Sequence, residues 1–127
     1  MNNKTILVIE DNELNMKLIR NLLQIGQYQV VEATNAETGI RLARDNHPDL
    51  ILMDIQLPGM DGLNATKVIK RDDVLKHIPV VALTSYAMQG DEKIAMEAGC
   101  VAYITKPLDT RSFLKKISKF FNGDDAK

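Results

Sequence analysis

A chain of 127 residues, 45% hydrophobic and 26% charged, has room for one domain with a full apolar core. Its formal net charge of -1 points to neither direct DNA binding nor membrane insertion. A lone cysteine, Cys100, excludes an internal disulfide framework and suits a reducing cytoplasm, and the apolar run after Lys4 is too short for a signal segment or a span.

Thr5-Ile6-Leu7-Val8-Ile9 reads as a first strand. Asn12 then caps a helix with Leu14, Leu18, Ile19, Leu22 and Leu23 on its apolar face and Gly26 at its end. Gln29-Val30-Val31-Glu32-Ala33 is a second strand. Thr34-Asn35-Ala36-Glu37 has the form of a capping box and opens a helix to about Asn46, where His47-Pro48-Asp49 breaks it. Leu50-Ile51-Leu52-Met53, apolar without alternation, predicts a third strand buried on both faces and closed by Asp54.

Pro58-Gly59-Met60-Asp61-Gly62 is a turn before a helix from about Leu63 to Lys70. Pro79 opens a fourth strand, Val80-Val81-Ala82-Leu83-Thr84. A less apolar helix covers roughly Asp91 to Ala98, with Gly99 as its stop. Val101-Ala102-Tyr103-Ile104 is a fifth strand. Beyond Lys106-Pro107, Asp109 caps a last helix with Phe113, Leu114, Ile117, Phe120 and Phe121 inward, and Asn122 to Lys127 form a polar tail. The alternation predicts an α/β fold of (βα)5 type, a doubly wound parallel sheet whose commonest strand order is 2-1-3-4-5.

In such sheets ligands bind beyond the carboxyl ends of the strands, where the order reverses. Glu10-Asp11, Asp54, Thr84 and Lys106 all fall at such ends and should meet at one edge. An acid closing a buried strand is costly unless paired. Three clustered carboxylates repel one another unless a cation intervenes, and oxygen ligands favour Mg2+, with Mn2+ as a substitute. Asp11 and Asp54 are the expected direct ligands, Glu10 acts through water, and the Gln56 carbonyl supplies a further oxygen. With the metal held, Asp54 is placed to attack phosphorus while Lys106 offsets charge and Thr84 donates a hydrogen bond. Thr84 then moves toward the phosphate, and Tyr103 is the residue placed to rotate into the space behind it. Gln56 and Tyr86 flank the acceptor and are expected to tune water access.

Glu10-Asp11, the stretch Met53-Asp54-Ile55-Gln56-Leu57-Pro58-Gly59-Met60-Asp61-Gly62, Thr84 and Lys106-Pro107, in that order, resemble the receiver domain of bacterial two-component response regulators over residues 4–121. The resemblance implies a flavodoxin-like (CheY-like) fold, a cis peptide before Pro107, and Mg2+-dependent phosphorylation of Asp54. The donor would be a phosphohistidine of a histidine kinase or histidine phosphotransfer protein. It further implies a Thr84–Tyr103 switch that alters the surface of the fourth helix, fifth strand and fifth helix for a downstream regulatory protein. Catalysis would be limited to the chain's own phosphorylation and dephosphorylation. The polar tail leaves no room for an output domain, so a single-domain regulator is expected; a receiver cut from a hybrid histidine kinase is the alternative.

Ordinary explanations stand beside these. Tyr103 reads equally as core packing, Cys100 as a small buried hydrophobe, and His47 and His77 as surface residues; Met88 and Met96 lean toward core filling. A flavodoxin-like cofactor binder would need backbone amides and hydroxyls after the first strand, where this chain has two acids. An aspartate-nucleophile phosphatase would carry its nucleophile after the first strand, a second acid two residues on, and a cap; Asp11 is followed by Asn12-Glu13 and no cap.

Overall fold

The computed structural model describes residues 4–85 and 89–122, so the sequence expectations for Tyr86 and Met88 lie outside the described residues. Strands and helices alternate: β1 (Thr5–Ile9), α1 (Glu13–Ile25), β2 (Gln29–Ala33), α2 (Ala36–Asn46), β3 (Leu50–Asp54), α3 (Gly62–Arg71), β4 (Val80–Thr84), α4 (Gln89–Ala98), β5 (Ala102–Thr105) and α5 (Phe113–Asn122). The five strands form one parallel sheet in the order β2-β1-β3-β4-β5. Ile9 lies opposite Met53, Asp54 opposite Leu83 and Thr84 opposite Thr105, so the four strand ends that carry the candidate residues share one edge.

β3 and β4 are buried at every position because helices cover both faces, which is why Leu50 to Met53 need no polar alternation. One face packs Leu7, Ile9, Ile51 and Met53 against Ile40, Ile69 and Ala95 of α2, α3 and α4. The other packs Ile6, Val8, Leu50 and Leu52 against Ile19 and Leu23 of α1 and Phe113 and Ile117 of α5. Each of the larger of these side chains contributes about 1.5–3 kcal/mol on leaving water.

Local details depart from expectation. α1 turns Met16, Ile19, Leu22 and Leu23 inward, while Leu14 is 78% and Leu18 37% exposed. Met16 was outside the predicted face, yet it sits three residues before Ile19 and so in phase with the buried stripe. Gly26 does end α1, but at φ -79; Gln27 at φ 68 takes the left-handed turn. Space at 26 is tight for another reason: a Cβ there would stand 2.8 Å from Leu114 Cδ2, so that side chain would have to shift.

Asn35, not Thr34, caps α2: its side chain accepts from the Thr38 N–H at 2.8 Å. Asn12 caps α1 and Asp61 caps α3 in the same way. α3 and α4 each begin slightly earlier than predicted, and β5 begins one residue later, at Ala102, although the Val101 N–H already bonds Val80 O at 2.9 Å. Asp109 opens a turn instead of α5 directly; its carboxylate takes the Arg111 N–H, its carbonyl takes those of Ser112 and Phe113, and the helix starts at Phe113. Phe113 and Ile117 are fully buried, with Leu114, Phe120 and Phe121 half-buried on the same core. Met96 is exposed at 44%, which corrects its assignment as a core filler, whereas Cys100 is buried and His47 and His77 are exposed.

Candidate functional site

The site is built where β1, β3, β4 and β5 end. β1 is extended past Ile9 by the Glu10 N–H, which donates to Ala33 O at 3.0 Å and draws Glu10 under the loop. Glu10 is 1% exposed and Asp54 3%, while the intervening Asp11 is exposed. Ligand oxygens of Glu10, Asp11 and Asp54 all lie within 4.8 Å of one another. Two of the acids are therefore interior and one opens to solvent.

Lys106 joins the two buried acids. Its Nζ stands 2.7 Å from Glu10 Oε1 and 3.2 Å from Asp54 Oδ2. The remaining oxygens are also held: the Asn12 N–H donates to Glu10 Oε2 at 3.1 Å and the Gln56 N–H to Asp54 Oδ1 at 2.9 Å. The Lys106 N–H bonds Thr84 O at 2.7 Å, which fixes the end of β5 against the end of β4. Thr84 itself is buried at the end of β4. The Gln56 side chain is exposed; the peptide Lys106–Pro107 is cis. Tyr103 is half-buried on β5, opposite Ala82, and packs on the core beneath α2, α3 and α4.

The charges explain the lysine. Burial alone would pull the Lys106 ammonium down, but hydrogen bonding to Glu10 and the negative charge of Asp54 outweigh it, and the group is held above its ordinary range. Burial pushes the Glu10 carboxyl up; Lys106 and the Asn12 N–H oppose this, and the neighbouring Asp54 reinforces it. Two buried acids, one exposed acid and one lysine thus meet in a cluster whose carboxylate oxygens are close enough together to hold a hard cation.

The direct Lys106–Glu10 contact was not legible in sequence, because the two residues are 96 positions apart. Gly62 was passed over as a turn residue, although a Cβ on it would stand 2.2 Å from Asp54 O and 2.7 Å from Ile55 Cα. The acceptor peptide is packed directly on the first turn of α3, and only glycine permits that approach. Two grooves flank the site. One of about 480 Å³ is lined by Asp11, Leu14, Lys17, Arg20, Glu32 and Thr34, among others. A smaller one of about 80 Å³ is lined by Leu18, Lys106, Pro107 and Leu108, among others.

A doubly wound sheet of this order with three acids, a hydroxyl and a lysine at its carboxyl edge is the architecture of a phosphoacceptor signalling domain. The chain belongs to the response regulator receiver domain family, which matches residues 6–118. It is 48% identical over 121 residues to the polar-differentiation response regulator DivK of Brucella anthropi, covering 95% of this chain and 98% of that one. Among solved structures it is similar to the receiver domain of a Pseudomonas aeruginosa sensor histidine kinase with magnesium in its active site cleft. That match has TM-score 0.86 and 31% identity, covering 94% of this chain and 98% of the other. It is also similar to a chain of the Saccharomyces cerevisiae complex between the histidine phosphotransfer protein Ypd1 and the receiver domain of Ssk1, with TM-score 0.84 and 27% identity, covering 93% and 88%. Among the described residues no helix is long and apolar enough to cross a membrane.

Proposed function

We propose that the chain is a phosphorylation-driven switch in which Asp54 takes a phosphoryl group from a phosphohistidine. The observation that carries this reading is the meeting of Asp54 with Asp11, Glu10 and Lys106 at one sheet edge. An Asp54 carboxylate oxygen attacks phosphorus, the P–N bond breaks, and the imidazole leaves with its electron pair. Lys106 offsets charge on the equatorial oxygens, and the Thr84 hydroxyl is the donor within the strand-end cluster suited to one of them.

Mg2+, or Mn2+ in its place, fits this oxygen donor set. Asp11 and Asp54 would hold it with the Gln56 carbonyl, and Glu10, the most deeply buried of the three acids, would contact it through water. When bound, the ion supplies charge neutralisation between the acids and the incoming phosphoryl group.

Support for a phosphohistidine partner comes from the related complex of Ypd1 with a receiver domain, and from Leu14 and Leu18, apolar and exposed on α1 beside the two grooves. On the output side, Thr84 and Tyr103 link the site to the surface of α4, β5 and α5, where Ile94, Met96 and Val101 are exposed. Nearly complete reversal of such a two-state surface takes about 5.5 kcal/mol of differential stabilisation. A downstream regulatory protein reads that surface. Identity to DivK supports a place in polar differentiation or cell-cycle control, and the buried thiol suits the cytoplasm. The test is transfer of labelled phosphate from a phosphorylated histidine phosphotransfer protein to the wild type and to Asp54→Asn. Label on the wild type alone supports the reading; equal label on both overturns it.

A further inference from the structure

Building on the phosphorylation-switch reading above, on which it rests, we propose that the outer face of α5 is a docking surface for an acidic segment of the downstream regulatory protein. Arg111, Lys115, Lys116 and Lys119 are all exposed there. From Arg111 to Phe121 no acid interrupts them, although the whole chain carries a net charge of -1. Arg111, in the turn that leads into α5, is followed by Lys115 and Lys119 at intervals of four, opposite the buried Phe113 and Ile117. At a helical rise of about 1.5 Å per residue they form a ridge roughly 12 Å long.

Such a face works against the fold. Like charges four residues apart on a helix repel, as Lys115 and Lys119 do. Cations near a helix N-terminus oppose its dipole, and Lys115 and Lys116 follow directly on Phe113-Leu114 in a first turn that holds no acid. The neighbouring Asp109 is occupied with the turn, its carboxylate accepting the Arg111 N–H at 3.0 Å. Among the described residues none of the four cations forms an ion pair, whereas Arg20, Arg44 and Lys106 are each bound to a carboxylate. A run of one sign that local rules disfavour marks a surface kept for another molecule.

What the face lacks narrows the chemistry of that molecule. The apolar side chains of α5 pack on the core, and among the described residues none of its large ones is exposed, so the helix has nothing to insert among lipid chains. A long polyanion needs a wider basic field than one helix in a chain of net charge -1 supplies. A short segment with acids about 6 Å apart matches the ridge, and charge then sets its orientation and speed of docking. Phe113 and Ile117 share a core cluster with Leu83 of β4 and Ile104 of β5, next to Thr84 and Thr105 at the strand ends, which couples the ridge to the phosphorylation site.

The test is fluorescence anisotropy of a labelled helical peptide with glutamates at intervals of four, and of its glutamine counterpart, against the full chain before and after phosphoramidate treatment with Mg2+. The glutamate peptide is expected to bind at least about tenfold more tightly than the glutamine one, and more weakly as salt rises. Lys115→Glu should lower that affinity about tenfold or more while Tm holds or rises, because the reversal relieves repulsion within α5 and suits the helix dipole. Lys115→Gln, the milder second variant, should fall between. Lys67→Glu, the same charge change on α3, should alter affinity less than about twofold.

A peptide that binds Lys115→Glu as it binds wild type, or that Lys67→Glu weakens equally, overturns the assignment. Tighter binding of a single-stranded oligonucleotide or of phosphatidylserine vesicles than of the peptide, lost in Lys115→Glu, overturns the choice of an acidic protein segment. Affinity for the glutamate peptide should change at least about threefold on phosphorylation, and equal affinity in protein shown to carry the phosphate overturns the role as output surface. Absence of phosphate on the wild type would instead refute the functional reading.

Discussion

Gly62→Ala probes how the acceptor is held. A Cβ at residue 62 would lie 2.2 Å from Asp54 O, 2.7 Å from Ile55 Cα and 2.9 Å from the Asp54 carbonyl carbon. All three atoms are backbone, so no rotamer change relieves the clash, and the nearest contact must lengthen by about 1 Å to reach van der Waals distance. Overpacking of this kind costs about 3 kcal/mol at the upper end of its range, and alanine returns about 1 kcal/mol through helix propensity. The net expectation is a loss of about 2 kcal/mol, which lowers Tm by roughly 6–10 °C in a domain of this size.

The same displacement moves the Asp54 carboxylate away from Lys106 and lowers the phosphorylation rate about a hundredfold. Thermal and urea unfolding read the first effect, and phosphoramidate labelling the second. Gly59→Ala is the control: Gly59 has φ 73 but open space around it, so it should cost about 1 kcal/mol of backbone strain and leave the phosphorylation rate near that of wild type. A Gly62→Ala protein as stable and as quickly phosphorylated as wild type would refute the packing argument.

Three further expectations follow from the same geometry. The Arg44 guanidinium, with the Val74 and Leu75 N–H groups, holds the Asp72 carboxyl below its ordinary range, so its contribution to stability is full above the unfolded-state value and is lost as pH falls through the folded one. Asp72→Asn should therefore destabilise at neutral pH and begin to converge on wild type only as pH falls below about 4 in urea titrations; a difference independent of pH would contradict this. Burial pushes the Cys100 thiol up, with only partial relief from Thr66 and Lys70, so the native protein should react with a disulfide reagent at least about tenfold more slowly than a free thiol, and a rate equal to that of the denatured chain would be the contrary result. Gln56→Ala keeps the amide that bonds Asp54 and removes only an exposed side chain, so stability should change by less than about 0.5 kcal/mol while the phosphoaspartate lifetime changes several-fold, as it should in Tyr86→Ala; an unchanged lifetime, followed by loss of label, would remove both from the tuning role.

How much the amino-acid sequence announces depends on which force decides each feature. Strands β3 and β4 were legible because a two-sided core tolerates only continuous apolar runs. That Asp54, Thr84 and Lys106 gather at one edge was legible because parallel strands bring their carboxyl ends together. The face of α1 was not, because Leu14, Met16, Leu18, Ile19, Leu22, Leu23 and Ile25 supply more apolar positions than one stripe can bury, and only contact with β1 and α5 selects the phase. The cap of α2 was off by one since Thr34 and Asn35 both make good caps. Within the site, the acids could be named but not sorted. That Glu10 is interior and Asp11 exposed depends on the bond from the Glu10 N–H to Ala33, a contact between β1 and β2 that local sequence does not encode. The approach of Gly62 to the acceptor peptide is likewise a fact of α3 packing, visible only once the helix is docked.

The central claim, that Asp54 is the phosphoacceptor of a metal-assisted site, is tested most directly by peptide mapping after incubation with phosphoramidate. With Mg2+ present, mass spectrometry should find one acid-labile phosphoryl group on the peptide containing Asp54, and none after chelation of the metal or in Asp54→Asn. A folded wild-type protein that gains no phosphate, or gains it on a peptide without Asp54, would contradict the account.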